Sequence, residues 1–165
     1  MKSKKFTLGL LIFYLVVLTW IIVFKMQFTN VNLPELRNIN LIPFGGSLVV
    51  NGEMNFSEII NNALAFIPFG ILIGVLWDKK TFIKKTLPII LTSFVFETLQ
   101  FILGIGASDI TDIISNSIGG VIGIAITIGI SKMFKNNWRK IINVISLIGC
   151  IILTLFIIIL VLANL

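Results

Sequence analysis

The chain of 165 residues contains no histidine. That absence removes imidazole acid–base catalysis, the histidine phosphatase chemistries and ordinary zinc sites. A single cysteine, Cys150, excludes an intrachain disulfide and a cysteine metal centre, and leaves the redox compartment undetermined. No phosphate-loop motif is present. Ser47, Ser108 and Thr111 lack a base partner visible in the sequence, so a serine-type nucleophile is not expected. Charge is scarce as well, at 12% of residues.

Apolar residues fill the space left by these absences. They make up 57% of the chain, with a mean hydropathy of +1.08. So much apolar surface cannot be hidden in one small water-soluble core, and lipid is the expected solvent. Crossing a hydrocarbon layer takes about 20 residues. Runs of that length occur at Phe6 to Phe24, Ile59 to Trp77, Ile83 to Leu103, Ile110 to Ile130 and Ile141 to Leu162. They predict an all-α, polytopic membrane helical bundle of about five transmembrane helices, one domain spanning residues 1–165. The first run follows Met1-Lys2-Ser3-Lys4-Lys5 but is too long for a signal peptide and lacks a small-residue cleavage site, which predicts an uncleaved signal anchor.

The placement of basic residues predicts an orientation. Lys2, Lys4, Lys5, Lys79, Lys80, Lys84, Lys85, Lys132, Lys135, Arg139 and Lys140 fall on one side, while Lys25 and Arg37 fall on the other. The positive-inside rule then puts the N-terminus in the cytoplasm and the C-terminus outside a bacterial cell membrane. The net charge of +6 is thereby explained as an orientation signal with some attraction for anionic lipid, and calls for no nucleic acid.

The one long connection, residues 27–58, is predicted on the external side. Loops of that length are uncommon unless they work. Its centre, INLIPFGGSLVV, is too apolar for a solvated loop and too short and broken to span, as in a re-entrant or interfacial segment. Ile42-Pro43-Phe44-Gly45 recurs as Ile67-Pro68-Phe69-Gly70, either because two elements are broken in the same way or by coincidence.

Polar residues stand out against this background. At about 100° per residue, Asp109, Asp112, Asn116, Gly119, Gly120, Gly123 and Thr127 share one stripe of the fourth helix. The glycines, with Ser115, have the small-xxx-small spacing of close helix packing. Asp109 and Asp112 suit helix capping, but one cap would suffice. On the third helix Thr86, Ser93, Glu97, Gln100 and Gly104 share a face. An ionisable group as deep as Glu97 costs at least about 2.5 kcal/mol unless paired, hydrated or protonated, and is a functional candidate. These faces, with Asn62 at the start of the second helix and Arg37 from the long loop, predict an external-leaflet pocket. Its carboxylates Glu97, Asp109 and Asp112 suit a hard divalent cation, Mg²⁺ or Ca²⁺, or direct binding of amines and sugar hydroxyls.

Taken in order, Asn40-Leu41-Ile42-Pro43-Phe44, Asn62-Ala63-Leu64-Ala65-Phe66-Ile67-Pro68-Phe69-Gly70, Glu97-Thr98-Leu99-Gln100, and Asp109-Ile110-Thr111-Asp112 with Asn116 and Gly119-Gly120 resemble the VanZ-like family over roughly residues 30 to 130. The resemblance implies an integral membrane protein linked to low-level resistance to teicoplanin, a glycopeptide antibiotic with a fatty-acyl tail. It also marks Asn40, Pro43, Phe44, Asn62, Pro68, Glu97, Gln100, Asp109, Asp112 and Asn116 as functional positions. Three activities follow as expectations. The first is binding of a lipid-linked envelope component, such as a cell-wall precursor, or of a lipoglycopeptide. The second is membrane-embedded enzyme chemistry on an envelope lipid through carboxylates or a divalent metal. The third is transport of a small lipid.

Overall fold

The computed structural model describes residues 3–25, 38–44, 49–50, 53–54, 56–105 and 108–163. Five helices carry the apolar runs: α1 (Lys4–Ile22), α2 (Ser57–Leu76), α3 (Phe82–Leu103), α4 (Ile110–Phe134) and α5 (Trp138–Ala163). Each is long and apolar enough to cross a membrane, as the composition predicted. Four two-residue strands complete the described elements. β1 (Ile39–Asn40) pairs in parallel with β4 (Ser108–Asp109), and β2 (Val49–Val50) pairs antiparallel with β3 (Glu53–Met54).

Local chemistry sets the helix ends. Ser3 caps α1, its hydroxyl accepting from the Lys5 amide at 3.2 Å. Asp109 caps α4 by accepting from the Thr111 amide at 2.7 Å. Gly104 closes α3 in the left-handed conformation at φ 68°, where a Cβ would be strained. This tight stop turns the chain directly from α3 into α4.

The centre of the bundle is the parallel pair α2 and α4, packed backbone to backbone. A Cβ added at Gly119 would strike the Ala63 carbonyl oxygen, one at Gly123 the Ile67 carbonyl oxygen, and one at Gly70 the Gly120 carbonyl oxygen. One turn further on, the Thr127 hydroxyl donates to the Ile71 carbonyl at 3.1 Å. Ala63, Ile67 and Ile71 therefore face Gly119, Gly123 and Thr127 in register, the approach that small residues permit in lipid. Pro68 lies within this stretch without ending α2. Its missing N–H leaves the Leu64 carbonyl without a helical donor, and next to that carbonyl the Tyr14 hydroxyl of α1 donates to the Ala65 carbonyl at 2.7 Å. The repeated Ile-Pro-Phe piece consequently has two geometries: Ile67 to Phe69 are helical, whereas Pro43 and Phe44 form a turn with Phe44 at φ 60°.

The end of the bundle remote from that turn is tied by Asp78, which pairs with Lys4 at the start of α1 and with Arg139 at the start of α5. A buried hydrogen bond from the Thr7 hydroxyl to the Asn143 side-chain oxygen, 2.9 Å, adds a second tether for α5. Beyond that first part α5 has no fully buried residue, and Leu147, Cys150 and Leu153 pack only partly buried against the core. Partial burial opposes ionisation of Asp78, but the hydrogen bonds and positive charge of Lys4 and Arg139 outweigh it and hold the carboxyl below its usual range. The stabilisation is complete above the ordinary carboxylate pKa of about 4 and is lost as pH falls through the lower folded value. Wild-type protein in detergent is expected to melt at progressively lower temperature below pH 4, and Asp78→Asn to start lower at pH 7 and lose less on acidification. Parallel melting curves for the two proteins across that range would contradict the assignment.

Candidate functional site

At the opposite end, the connection from α3 to α4 positions the polar side chains. Because Asp109 is the N-cap, its own amide is outside the helical ladder and free to donate. It donates to Glu97 Oε2 at 2.9 Å. The Ser108 hydroxyl donates to the Glu97 carbonyl at 2.6 Å. Glu97 and Asp109 are 3% and 7% exposed.

The β1/β4 pairing delivers the Asn40 to Phe44 turn of the long connection to this place. The Ser108 amide donates to the Asn38 carbonyl at 2.9 Å, and the Asn40 side-chain amide donates to Asp109 Oδ2 at 3.0 Å. Asn40 then folds its own chain, its side-chain oxygen accepting from the Ile42 amide at 3.1 Å. The Phe44 amide donates to Thr111 Oγ1 at 3.1 Å, fixing a non-glycine residue at positive φ. Ile39, Leu41, Ile42 and Phe44 turn their side chains outward. Residues 38–44 thus lie against the start of α4 at this end of the bundle, and residues 45–48 of the same apolar stretch lie outside the described residues.

Two cavities open here. One, about 350 Å³, has apolar walls from Leu41, Phe94, Phe101 and Ile113, with Asn40, Glu97 and Asp109 among its lining. The other, about 300 Å³, lies between α1, α2, α3 and α4 and is lined by Lys25, Glu58, Asn61, Asn62, Gln100 and Asp112. Asn62 hydrogen-bonds the Asp112 carboxylate. Lys25 pairs with Glu58 at 3.1 Å, and Gln100 Nε2 donates to the Ile22 carbonyl at the end of α1 at 3.0 Å.

The sequence-predicted constellation is therefore divided in two. Asn40, Glu97 and Asp109 line the apolar-walled groove; Asn62, Gln100 and Asp112 line the polar cavity. Asn116 lines neither. It is fully buried below them, donating to Ser93 Oγ at 2.9 Å. Arg37 lies outside the described residues. Glu97 meets Asp109 rather than Asp112, its Oε2 accepting from the Asp109 amide. Among the described residues no three His, Cys, Asp or Glu side chains converge to hold a metal ion. The expected triad of Glu97, Asp109 and Asp112 is not assembled as a ligand set here.

Several contributors are outside the pocket set that the sequence predicts, although Ser93 shares the predicted Glu97 face and Lys25 the predicted external side. Lys25, Glu58 and Asn61 complete the polar cavity, and Ser93, Ser108 and Thr111 fasten the site residues. The acid in the first turn of α2 and the hydroxyl two positions after a capping Asp are local signals that could have indicated Glu58 and Thr111. Lys25 depends on where α1 ends, which periodicity does not resolve.

Comparison with known proteins bears on the same segments. The VanZ/LLP1 family model matches residues 11–135. The chain is 37% identical over 158 residues to Protein VanZ of Enterococcus faecium, covering 94% of this chain and 93% of that relative. No solved structure matches. A family match that runs from α1 through α4, joined to an identity of that level over nearly the full length, means that this multi-pass membrane protein belongs to the VanZ family.

Proposed function

We propose that this end of the bundle faces the outside of the cell and captures the polar part of a membrane-inserted amphiphile, either a lipid-linked envelope component such as a cell-wall precursor or an acylated glycopeptide. Low-level resistance of the teicoplanin type then results from holding the drug away from its target. The observation that carries this reading is the groove around Glu97 and Asp109. Its walls are apolar side chains at the edge of the bundle, while its polar positions are two buried carboxylates, the Asn40 amide and the hydroxyls of Thr98 and Ser108. An acyl chain gains by burial against Phe94, Phe101 and Leu41, and a hydroxyl- or amide-rich head finds acceptors in the same space. The outward orientation rests on the eleven basic residues that the sequence assigns to the opposite side.

Two measurements test the proposal. Expression in a susceptible strain is expected to raise tolerance to an acylated glycopeptide and to leave an unacylated one unaffected; equal protection against both removes the role of the groove. In a Cys150→Ser background, Asn38→Cys should react with an impermeant thiol reagent on intact cells and Thr81→Cys should be protected. The reverse labelling would place the groove on the wrong side of the membrane.

A further inference from the structure

The polar cavity has no part in that reading, and its chemistry is different. Asp112 is 8% exposed and forms no ion pair among the described residues. The nearby cation, Lys25, is already paired with Glu58. Across the way, Gln100 is 3% exposed and its Oε1 has no hydrogen-bond partner. The amide cannot be turned round to cure this. Ile22 is the last residue of α1, and among the described residues Gln100 Nε2, in its present orientation, is the donor that satisfies its carbonyl. Gln100, with this buried acceptor, thus lines a cavity that also holds a buried carboxylate, hydrogen-bonded by Asn62 but without an ion pair among the described residues.

We propose that the cavity between α1, α2, α3 and α4 binds a primary ammonium group, with Asp112 as its counter-ion and Gln100 Oε1 as a second acceptor. Charge excludes an anion, since Glu58 and Asp112 outnumber Lys25. A neutral hydroxyl can supply one donor but leaves the carboxylate unpaired. Lys25 already engages Glu58, which leaves Asp112 as the one carboxylate of the cavity without an ion pair, a poor set for a hard divalent cation, and no three-ligand cluster is found among the described residues. An ammonium brings one positive charge and three donors, which can be divided among Asp112, Gln100 and an amide oxygen of Asn61 or Asn62. A quaternary ammonium brings the charge without donors. The site is separate from the groove around Glu97 and stands whether or not that groove holds an acyl chain.

The amine can come from a lipid headgroup or from a soluble molecule, and the experiment separates these sources. Full-length protein is placed in phosphatidylcholine nanodiscs and its unfolding temperature followed with ethanolamine, with choline and with Mg²⁺. In a second arm, one part of the lipid is replaced by phosphatidylethanolamine and retention of that lipid is read by native mass spectrometry. Ethanolamine is expected to stabilise the protein saturably and choline is not. Asp112→Asn should weaken binding about tenfold or more, the loss of one charge-assisted hydrogen bond. Asn61→Lys, at an exposed position on the rim, should abolish it by supplying a competing ammonium without disturbing the interior. A signal in the lipid arm alone assigns the amine to a headgroup, and a signal with ethanolamine assigns it to a soluble ligand as well. Silence in both arms, an equal response to choline, or an Asp112-dependent response to Mg²⁺ in place of ethanolamine overturns the proposal. Should Asp112→Asn fail to fold, unchanged binding by Asn61→Lys overturns it equally.

Discussion

Gly119→Leu is expected to remove most of the folded protein from the membrane. A Cβ at that position already meets the Ala63 carbonyl oxygen, and the obstacle is helix backbone, which cannot swing aside as a side chain can. Overpacking a well-fitted core costs about 1–3 kcal/mol where side chains can adjust, and more where they cannot. Here α2 and α4 would have to separate along their whole contact, releasing the Thr127 to Ile71 hydrogen bond as well. About a tenfold fall in monodisperse protein, read by fluorescence-detected size exclusion after detergent extraction, is the expected size of the effect. Gly129→Leu supplies the comparison, because nothing lies within 4 Å of a Cβ there. Equal yields of the two variants would mean that the α2–α4 contact does not organise the bundle.

Glu97→Gln is expected to lower resistance, or capture of the amphiphile, to the level of cells without the gene while the protein stays abundant. The amide keeps the shape of the carboxylate and can still accept from the Asp109 N–H, so only charge is lost. Asp109→Asn is similarly mild for the fold, since Asn is as good an N-cap as Asp. It nevertheless removes the carboxylate that holds Asn40 at the groove. The double variant should be little worse than either single one, because groups that act as a unit are non-additive. Full activity at normal abundance would reduce both acids to fasteners of the α3–α4 turn. Loss of the protein from the membrane would reveal a structural role instead.

The helices were legible because length and apolarity are properties of single segments. Their ends were less so. The apolar run of α4 stops at Ile130, yet the helix continues to Phe134 through Ser131 and Lys132, since a lysine at a helix end can reach water along its own stem. The glycine stripe announced a close approach, but its partner, α2, is a property of two helices and is not written in either. The same limit divided the site. Glu97 and Gln100 lie three residues apart, about 60° round the helix, enough to put them on opposite sides of the α3–α4 seam. Asp109 and Asp112 are separated because Asp109 is the extended N-cap while Asp112 lies inside the first turn of α4. Ser115, which spacing suggested only as part of a packing motif, is buried at 2% exposure with its hydroxyl on the Asp112 carbonyl. The Asn40 to Asp109 contact joins residues 69 positions apart through a two-residue strand pair, and no local pattern encodes it.

The parallel contact of α2 with α4 also imposes a timetable on biosynthesis. Thr127 and Ile71, which meet across it, are 56 residues apart. At about 5–20 residues per second, α2 waits roughly 3–11 seconds in the bilayer before its partner has been made. Throughout that interval its Gly70 and Gly74 face presents a small-residue surface to whatever helix arrives first, including α2 of a neighbouring nascent chain. The short turn into α3 and the tight stop at Gly104 shorten the wait, delivering α4 beside α2 with little chain spent on connections. Lengthening either connection would therefore leave the finished contacts untouched and still increase the fraction of chains that assemble with the wrong neighbour.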